Sequence, residues 1–222
     1  YAMCNDRRTL LWFANQRAVE YHPTLASADH PERPTHLVLD LDPPDAGAFP
    51  MAVRAARLVR QALADVGLQG AVKTSGAKGV HVFVPLAGET SSHDAAAATR
   101  AIAARAAGLD PGIATTAFVK DERGGKVFVD STRVGGATVV SAYSPRVRPG
   151  APVSFPVDWD DLHDVRPGDF TLHTAPGRPR SVGVAHAGAA AAERRAHRRG
   201  ARHPGGASSG HARRQAPGSR RA

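Results

Sequence analysis

A single cysteine, Cys4, stands in 222 residues, which excludes an intrachain disulfide and any cysteine-ligated zinc cluster. Aromatic residues are scarce at 5%, so few side chains are on hand to stack against nucleobases. No apolar run is long enough to span a bilayer. The opening YAMCNDRRTL has charges that no apolar stretch follows, so a secretory signal pattern is missing as well. These absences point to a cytoplasmic protein with no membrane partner. The length leaves room for one domain of ordinary size, with a real core, and some chain to spare.

Acidic residues are almost absent from one end. Residues 171–222 hold 11 of the 29 Lys and Arg, all of them Arg, and one acid, Glu193. Residues 1–170 therefore carry 18 basic and 19 acidic groups, a net of −1, and the overall +9 belongs to the C-terminal segment. From Ala175 that segment is mostly Ala, Gly, Pro, Arg, Ser and His, with no Phe, Tyr or Trp. It cannot bury enough apolar surface to offset its ordering entropy. The expectation is a domain over 1–174 and a disordered basic tail over 175–222. Such a tail is either an arm for non-specific phosphate contacts or a plain linker.

What remains reads as alternating helix and strand. Helical spacing covers Arg8–Tyr21, stopping at His22-Pro23; Phe49–Val66, closed by Gly67; and Ser91–Ala107, with Ser91 or Ser92 as cap and Gly108 as stop. Strands are expected at Thr35–Asp42, Gly70–Thr74, Val80–Pro85, Lys126–Asp130 and Thr138–Ser141, with proline-rich irregular chain after that. Strands interleaved with helices argue for a sheet covered by helices.

Two strand ends carry carboxylates where a core strand needs none. In THLVLDLDPP, Asp40 and Asp42 share one face, about 7 Å apart by Cα, while Leu39 and Leu41 share the other. Two such carboxylates repel unless a cation lies between them, and hard oxygen ligands suit a divalent metal. An acidic strand end reaching solvent is the plainer alternative. KVFVDST repeats the form, ending in Asp130. Three carboxylates from two strands suit two Mg²⁺ or Mn²⁺ ions and phosphoryl transfer. Between these strands, KTSGAKGVHVFVPL places Ser75, Gly76, Lys78 and Gly79 in a tight turn whose amides are expected to form an anion nest, with His81 off the valine face. A solvated hairpin is the alternative. No Walker pattern is present.

DLD at 40–42, SGAKGVH at 75–81 and VFVDST at 127–132, in this order, resemble the three motifs of the archaeo-eukaryotic primase superfamily. They are closest to those of the polymerase domain of bacterial ATP-dependent DNA ligase D. TLLWFANQRAVEYHP at 9–23 and AYSPRVRPGAPVSFPVDWDDL at 142–162 extend the resemblance over about residues 1–174. It implies an α+β primase-polymerase core, with a mixed, mainly antiparallel sheet flanked by helices. It also implies nucleotidyl transfer to 3′ ends in bacterial non-homologous end joining, with Asp40, Asp42 and Asp130 as the catalytic metal ligands. Ser75, Lys78, His81, His22 and Arg146 would bind the nucleotide, with Arg148 as a nearby candidate. The implied cofactors are two Mn²⁺ or Mg²⁺ ions with an NTP or dNTP as substrate. The implied partners are DNA ends, a Ku-type end-binding protein and a separate ligase, in a nucleoid-associated setting.

Two departures stand out. Where the family has a Gln-Asn pair after the third aspartate, this chain has Arg133 and Val134, and Arg133 is in reach of a phosphate. The chain also opens inside the family's pattern, without its N-terminal basic and aromatic module, so activity of the chain alone is expected to be weak. A non-catalytic DNA-end-binding remnant, a stand-alone primase and a DxD phosphatase are the alternatives. In the phosphatase class the first Asp is a nucleophile followed by a Thr or Val plus an apolar residue, where this chain has Pro43-Pro44, and that class lacks the SGAKGVH hairpin.

Overall fold

The structure, a computed structural model, describes residues 2–178. Its three helices follow from spacing and caps. α1 (Arg7–Asn15) starts at Asp6, whose side chain accepts from the Thr9 amide. α2 (Phe49–Ala64) buries Phe49, Ala52, Val53, Ala56, Val59 and Leu63 along one stripe. It ends where Gly67, at φ 71°, lets the amides of Gly67 and Leu68 close on the carbonyls of Ala64 and Leu63. α3 (Ser92–Leu109) is capped by Ser91, whose hydroxyl accepts from the Asp94 amide at 3.1 Å. It presents small residues inward (Ala95, Ala103, Ala106), with Thr99 and Ile102 between them.

The strands form two sheets. A short antiparallel pair joins β1 (Ala26–Ser27) to β2 (His30–Pro34). The main sheet contains β3 (His36–Asp42), β4 (Ala71–Thr74), β5 (Val80–Pro85), β6 (Ala114–Thr115), β7 (Val127–Asp130) and β8 (Pro156–Val157), in the order β6-β7-β3-β5-β4-β8. All neighbours are antiparallel except β6 and β7. The sheet is thus mixed and mainly antiparallel, as the motif resemblance implies. Leu37, Leu39 and Leu41 point to the face covered by α2 and α3. On the opposite face Val38 packs with Leu25, Val139 and Phe83, and along β3 the next residues on that face are Asp40 and Asp42.

Two expectations shift, and a third lies mostly outside the described residues. The first helix stops at Asn15 rather than Tyr21, because Arg17 turns left-handed (φ 65°) and the Ala18 amide bonds back to Phe13. The following chain is drawn into extended pairing, the Val139 amide donating to Pro23 and the Ser141 amide to Tyr21. Thr138–Ser141 is that partner segment, holding one isolated bridge, Thr24 to Thr138, and no strand of the main sheet. The tail assigned to 175–222 lies outside the described residues from 179 onward; Ala175–Gly177 form a 3₁₀ turn.

Candidate active site

Strand register builds the site. Asp40 on β3 is opposite Asp130 on β7 and His81 on β5, and His81 is opposite Lys73 on β4. Asp130, Asp40, His81 and Lys73 therefore form one row across four neighbouring strands, about 5 Å apart, on the face away from the helices.

The row is tightly connected. Lys73 is fully buried, and its ammonium donates to Ser154 Oγ at 2.5 Å and lies 3.0 Å from His81 Nδ1. Ser154 Oγ donates onward to the Thr74 carbonyl. His81 Nε2 is 3.2 Å from Asp40 Oδ1. An ammonium has only donors to offer, so His81 Nδ1 accepts, Nε2 carries the proton, and Asp40 is the acceptor. Burial pushes Lys73 down to about 7, against the pull of Asp40. Burial, then the charge of Lys73, keeps the His81 imidazole below its usual range, although Asp40 favours its charged form. His81 therefore reaches Asp40 as a neutral N–H donor. Burial opposes ionisation of Asp40, but His81, Arg133 and Lys73 outweigh it and hold this carboxyl at about 2. Asp42 is raised, first by burial and then by the charge of Asp40.

A cleft of about 700 Å³ opens beside this row. Its lining includes His22, Asp40, Asp42, Ser75, Lys78, His81 and Arg146, together with Arg133 and Arg148. Asp130 lies beside Asp40, nearly covered. The structure thus brings together every residue that the motifs single out.

The turn between β4 and β5 differs in one respect from the expected nest. The amides of Ala77 and Gly79 both donate to Ser75 Oγ at 3.1 Å, so two donors are spent on holding the turn itself. Lys78 Nζ donates to the Pro43 carbonyl at 2.6 Å, tying the turn to the end of β3. Glycine is required twice here. A Cβ on Gly79 would lie 2.4 Å from the Leu41 carbonyl oxygen, and one on Gly76 (φ 67°) would lie 2.8 Å from the Ser154 amide.

Sequence reasoning missed two organisers, one buried and one half-buried. Lys73 is one; its signal was a lysine inside the otherwise apolar run preceding SGAKG. Glu20 is the other. Its Oε2 lies 3.1 Å from His22 Nε2 and 3.2 Å from Arg146 Nε, and its Oε1 accepts the Val147 amide at 2.6 Å. The Val147 amide, then His22, hold its carboxyl down at about 2, against burial. Arg146 also donates to the Ser75 carbonyl at 2.6 Å. Glu20 therefore binds His22 and Arg146 to the motif turn.

Arg133 fills the gap between the carboxylates. One guanidinium nitrogen lies 3.0 Å from Asp40 Oδ2 and 3.0 Å from Asp130 Oδ2. Among the described residues no three His, Cys, Asp or Glu side chains stand close enough to enclose a metal ion. The donor set is nevertheless that of a hard divalent cation, and a cationic group already bridges two of its members.

The fold is that of a primase-polymerase domain. A family model described as "LigD, primase-polymerase domain" matches residues 1–186, and the chain belongs to that family. Multifunctional non-homologous end joining DNA repair protein LigD of Mycobacterium tuberculosis is 35% identical over 173 residues, covering 74% of this chain and 23% of that protein. Bifunctional non-homologous end joining protein LigD of Bacillus subtilis is 31% identical over 186 residues, covering 82% and 30%. The chain thus spans less than a third of the length of these relatives. Among solved structures, the polymerase domain from Mycobacterium tuberculosis ligase D in complex with DNA superposes with a TM-score of 0.67 at 35% identity, covering 74% of this chain and 60% of that one. No helix of the described residues is long and apolar enough to cross a membrane.

Proposed function

We propose that this domain adds nucleotides to DNA 3′ ends during bacterial non-homologous end joining, with Asp40, Asp42 and Asp130 as ligands for Mn²⁺ or Mg²⁺. The observation that carries the reading is one cleft with carboxylates on one wall and Lys78, Arg146 and Arg148 around them. The names and DNA complex of the LigD relatives support it. DNA ends and a nucleoside triphosphate are the partners this chemistry calls for; a Ku-type protein and a separate ligase follow from the repair setting.

Two divalent ions, when bound, would supply a lowered pKa for the attacking 3′-hydroxyl and charge balance for pyrophosphate. The chain's own groups do the rest. His81 holds Asp40 in one orientation through its Nε2–H. Lys78 and Arg146 neutralise the charge developing on the phosphates. Glu20 keeps His22 and Arg146 aimed together, and the Ser75 turn holds the backbone on which both depend.

The test combines binding with turnover. Mn²⁺ titrated calorimetrically into wild type should bind, and Asp40→Ala should lose that binding together with ribonucleotide addition to a primer. Equal Mn²⁺ binding by wild type and Asp40→Ala would overturn the metal assignment. Phosphate-ester hydrolysis without nucleic acid would point to a phosphatase instead.

A further inference from the structure

The carboxylate pair under the cleft is already fully engaged by the protein. Asp40 Oδ1 is held by His81 Nε2 at 3.2 Å and Oδ2 by Arg133 at 3.0 Å. Asp130 Oδ1 accepts from the Thr132 amide at 2.8 Å and the Thr132 hydroxyl at 2.7 Å, and its Oδ2 faces Arg133 at 3.0 Å. Among the described residues Asp42 makes no hydrogen bond or ion pair of this kind. A divalent cation held by Asp40 and Asp130 would therefore have to displace this guanidinium group.

Arg133 is suited to leave. Its side chain is one-third exposed and lines the cleft. Its Nε is buried without a partner, so its present seat leaves one donor unsatisfied. The chain after it contains Gly135 and Gly136, both at positive φ. In the cleft it would join Lys78, Arg146 and Arg148, where a phosphate group can accept its planar fork two bonds at a time.

We infer that Arg133 is a built-in counter-ion that competes with the divalent cation for Asp40 and Asp130 and is released into the phosphate cleft when the cation binds. This rests on the metal reading of the three aspartates. It gives the site a closed, charge-balanced state without metal, so three neighbouring carboxylates do not repel one another in a sparsely solvated pocket. It also means that the cation must outcompete a tethered group, so measured affinity is the intrinsic affinity reduced by the fraction of protein with Arg133 displaced.

The experiment is calorimetric titration of Mn²⁺ into the full chain as wild type, Arg133→Gln, Arg133→Lys and Asp40→Ala, with melting temperatures recorded in chelator. Arg133→Gln should bind Mn²⁺ roughly tenfold more tightly, the scale of one charge-assisted contact. Its metal-free melting temperature should fall, and Mn²⁺ should restore it. Arg133→Lys, a compact point charge on a shorter reach, should lie between the two and covers the case in which Arg133→Gln does not fold. Unchanged or weaker Mn²⁺ binding in Arg133→Gln, with binding still lost in Asp40→Ala, would overturn the competition while leaving the metal site standing. Mn²⁺ binding unaffected by Asp40→Ala would remove the metal site and the competition together.

Discussion

Lys73 shows how one residue can organise a site it does not line. It has no exposure, yet it sets the donor and acceptor roles of His81 and, through them, the orientation of Asp40. Its folded pKa of about 7 lies below the unfolded 10.5. Between those values the folded protein binds fewer protons than the unfolded chain, so stability rises with pH across that window, by up to about 1.4 kcal/mol per pH unit. The full cost of burying the charge is felt below about 7. Urea denaturation at pH 7 and pH 9 should show this rise in wild type and lose it in Lys73→Met. An equal slope in both would remove Lys73 as the cause. Glu20 acts in the opposite sense. Its carboxyl sits at about 2 against an ordinary 4.5. Its contribution is therefore present above 4.5 and lost as pH falls towards 2. Glu20→Gln should unpin Arg146 and weaken nucleoside triphosphate binding several-fold at neutral pH, measured by fluorescence titration; unchanged affinity would make the Glu20–Arg146 pair merely structural.

At the scale of elements, the turn between β4 and β5 couples sequence most directly to geometry. Gly79 passes so close to the Leu41 carbonyl that a methyl group forces β3 and β5 apart at Leu41, the residue between Asp40 and Asp42. Gly79→Ala should cost roughly 1–3 kcal/mol in denaturation midpoint analysis. It should also weaken Mn²⁺ binding, since the same displacement moves Asp40. Stability and binding unchanged from wild type would mean the turn yields without strain. The strands flanking this turn were legible because each alternates or runs apolar between turn residues, and α2 and α3 because their caps and apolar stripes agree. The end of α1 was not legible. RTLLWFANQRAVEY keeps helical spacing to Tyr21, but pairing of residues 21–24 with 138–141 wins over local propensity. β1, β6 and β8 are two residues long and carry no periodic signal; they exist only because neighbours offer them hydrogen bonds.

Over the whole molecule, charge is divided by position. The net of −1 across residues 1–170 gives little long-range attraction for a duplex, while 11 Arg lie in 171–222. Truncation after Thr174 should therefore flatten the log K against log salt dependence of DNA binding by several units, each phosphate contact contributing about 0.9. An unchanged slope would exclude the C-terminal segment from DNA binding.

Composition, spacing and motif order by themselves determined the helices with caps, the apolar strands and the family resemblance, and through that resemblance the candidate residues Asp40, Asp42, Asp130, Ser75, Lys78, His81, His22 and Arg146. These are local properties, carried by residue type and position in the chain. Only the tertiary structure decided which of these groups touch. Strand register aligned Asp130, Asp40, His81 and Lys73 across four strands drawn from three separate stretches of the chain. Loop docking put Glu20 against Arg146, 126 residues away. Arg133 was visible as a departure from the family's pattern, but its place between two carboxylates was not. Periodicity specifies which face a side chain occupies, and pairing partners across a sheet depend on contacts that no local pattern encodes.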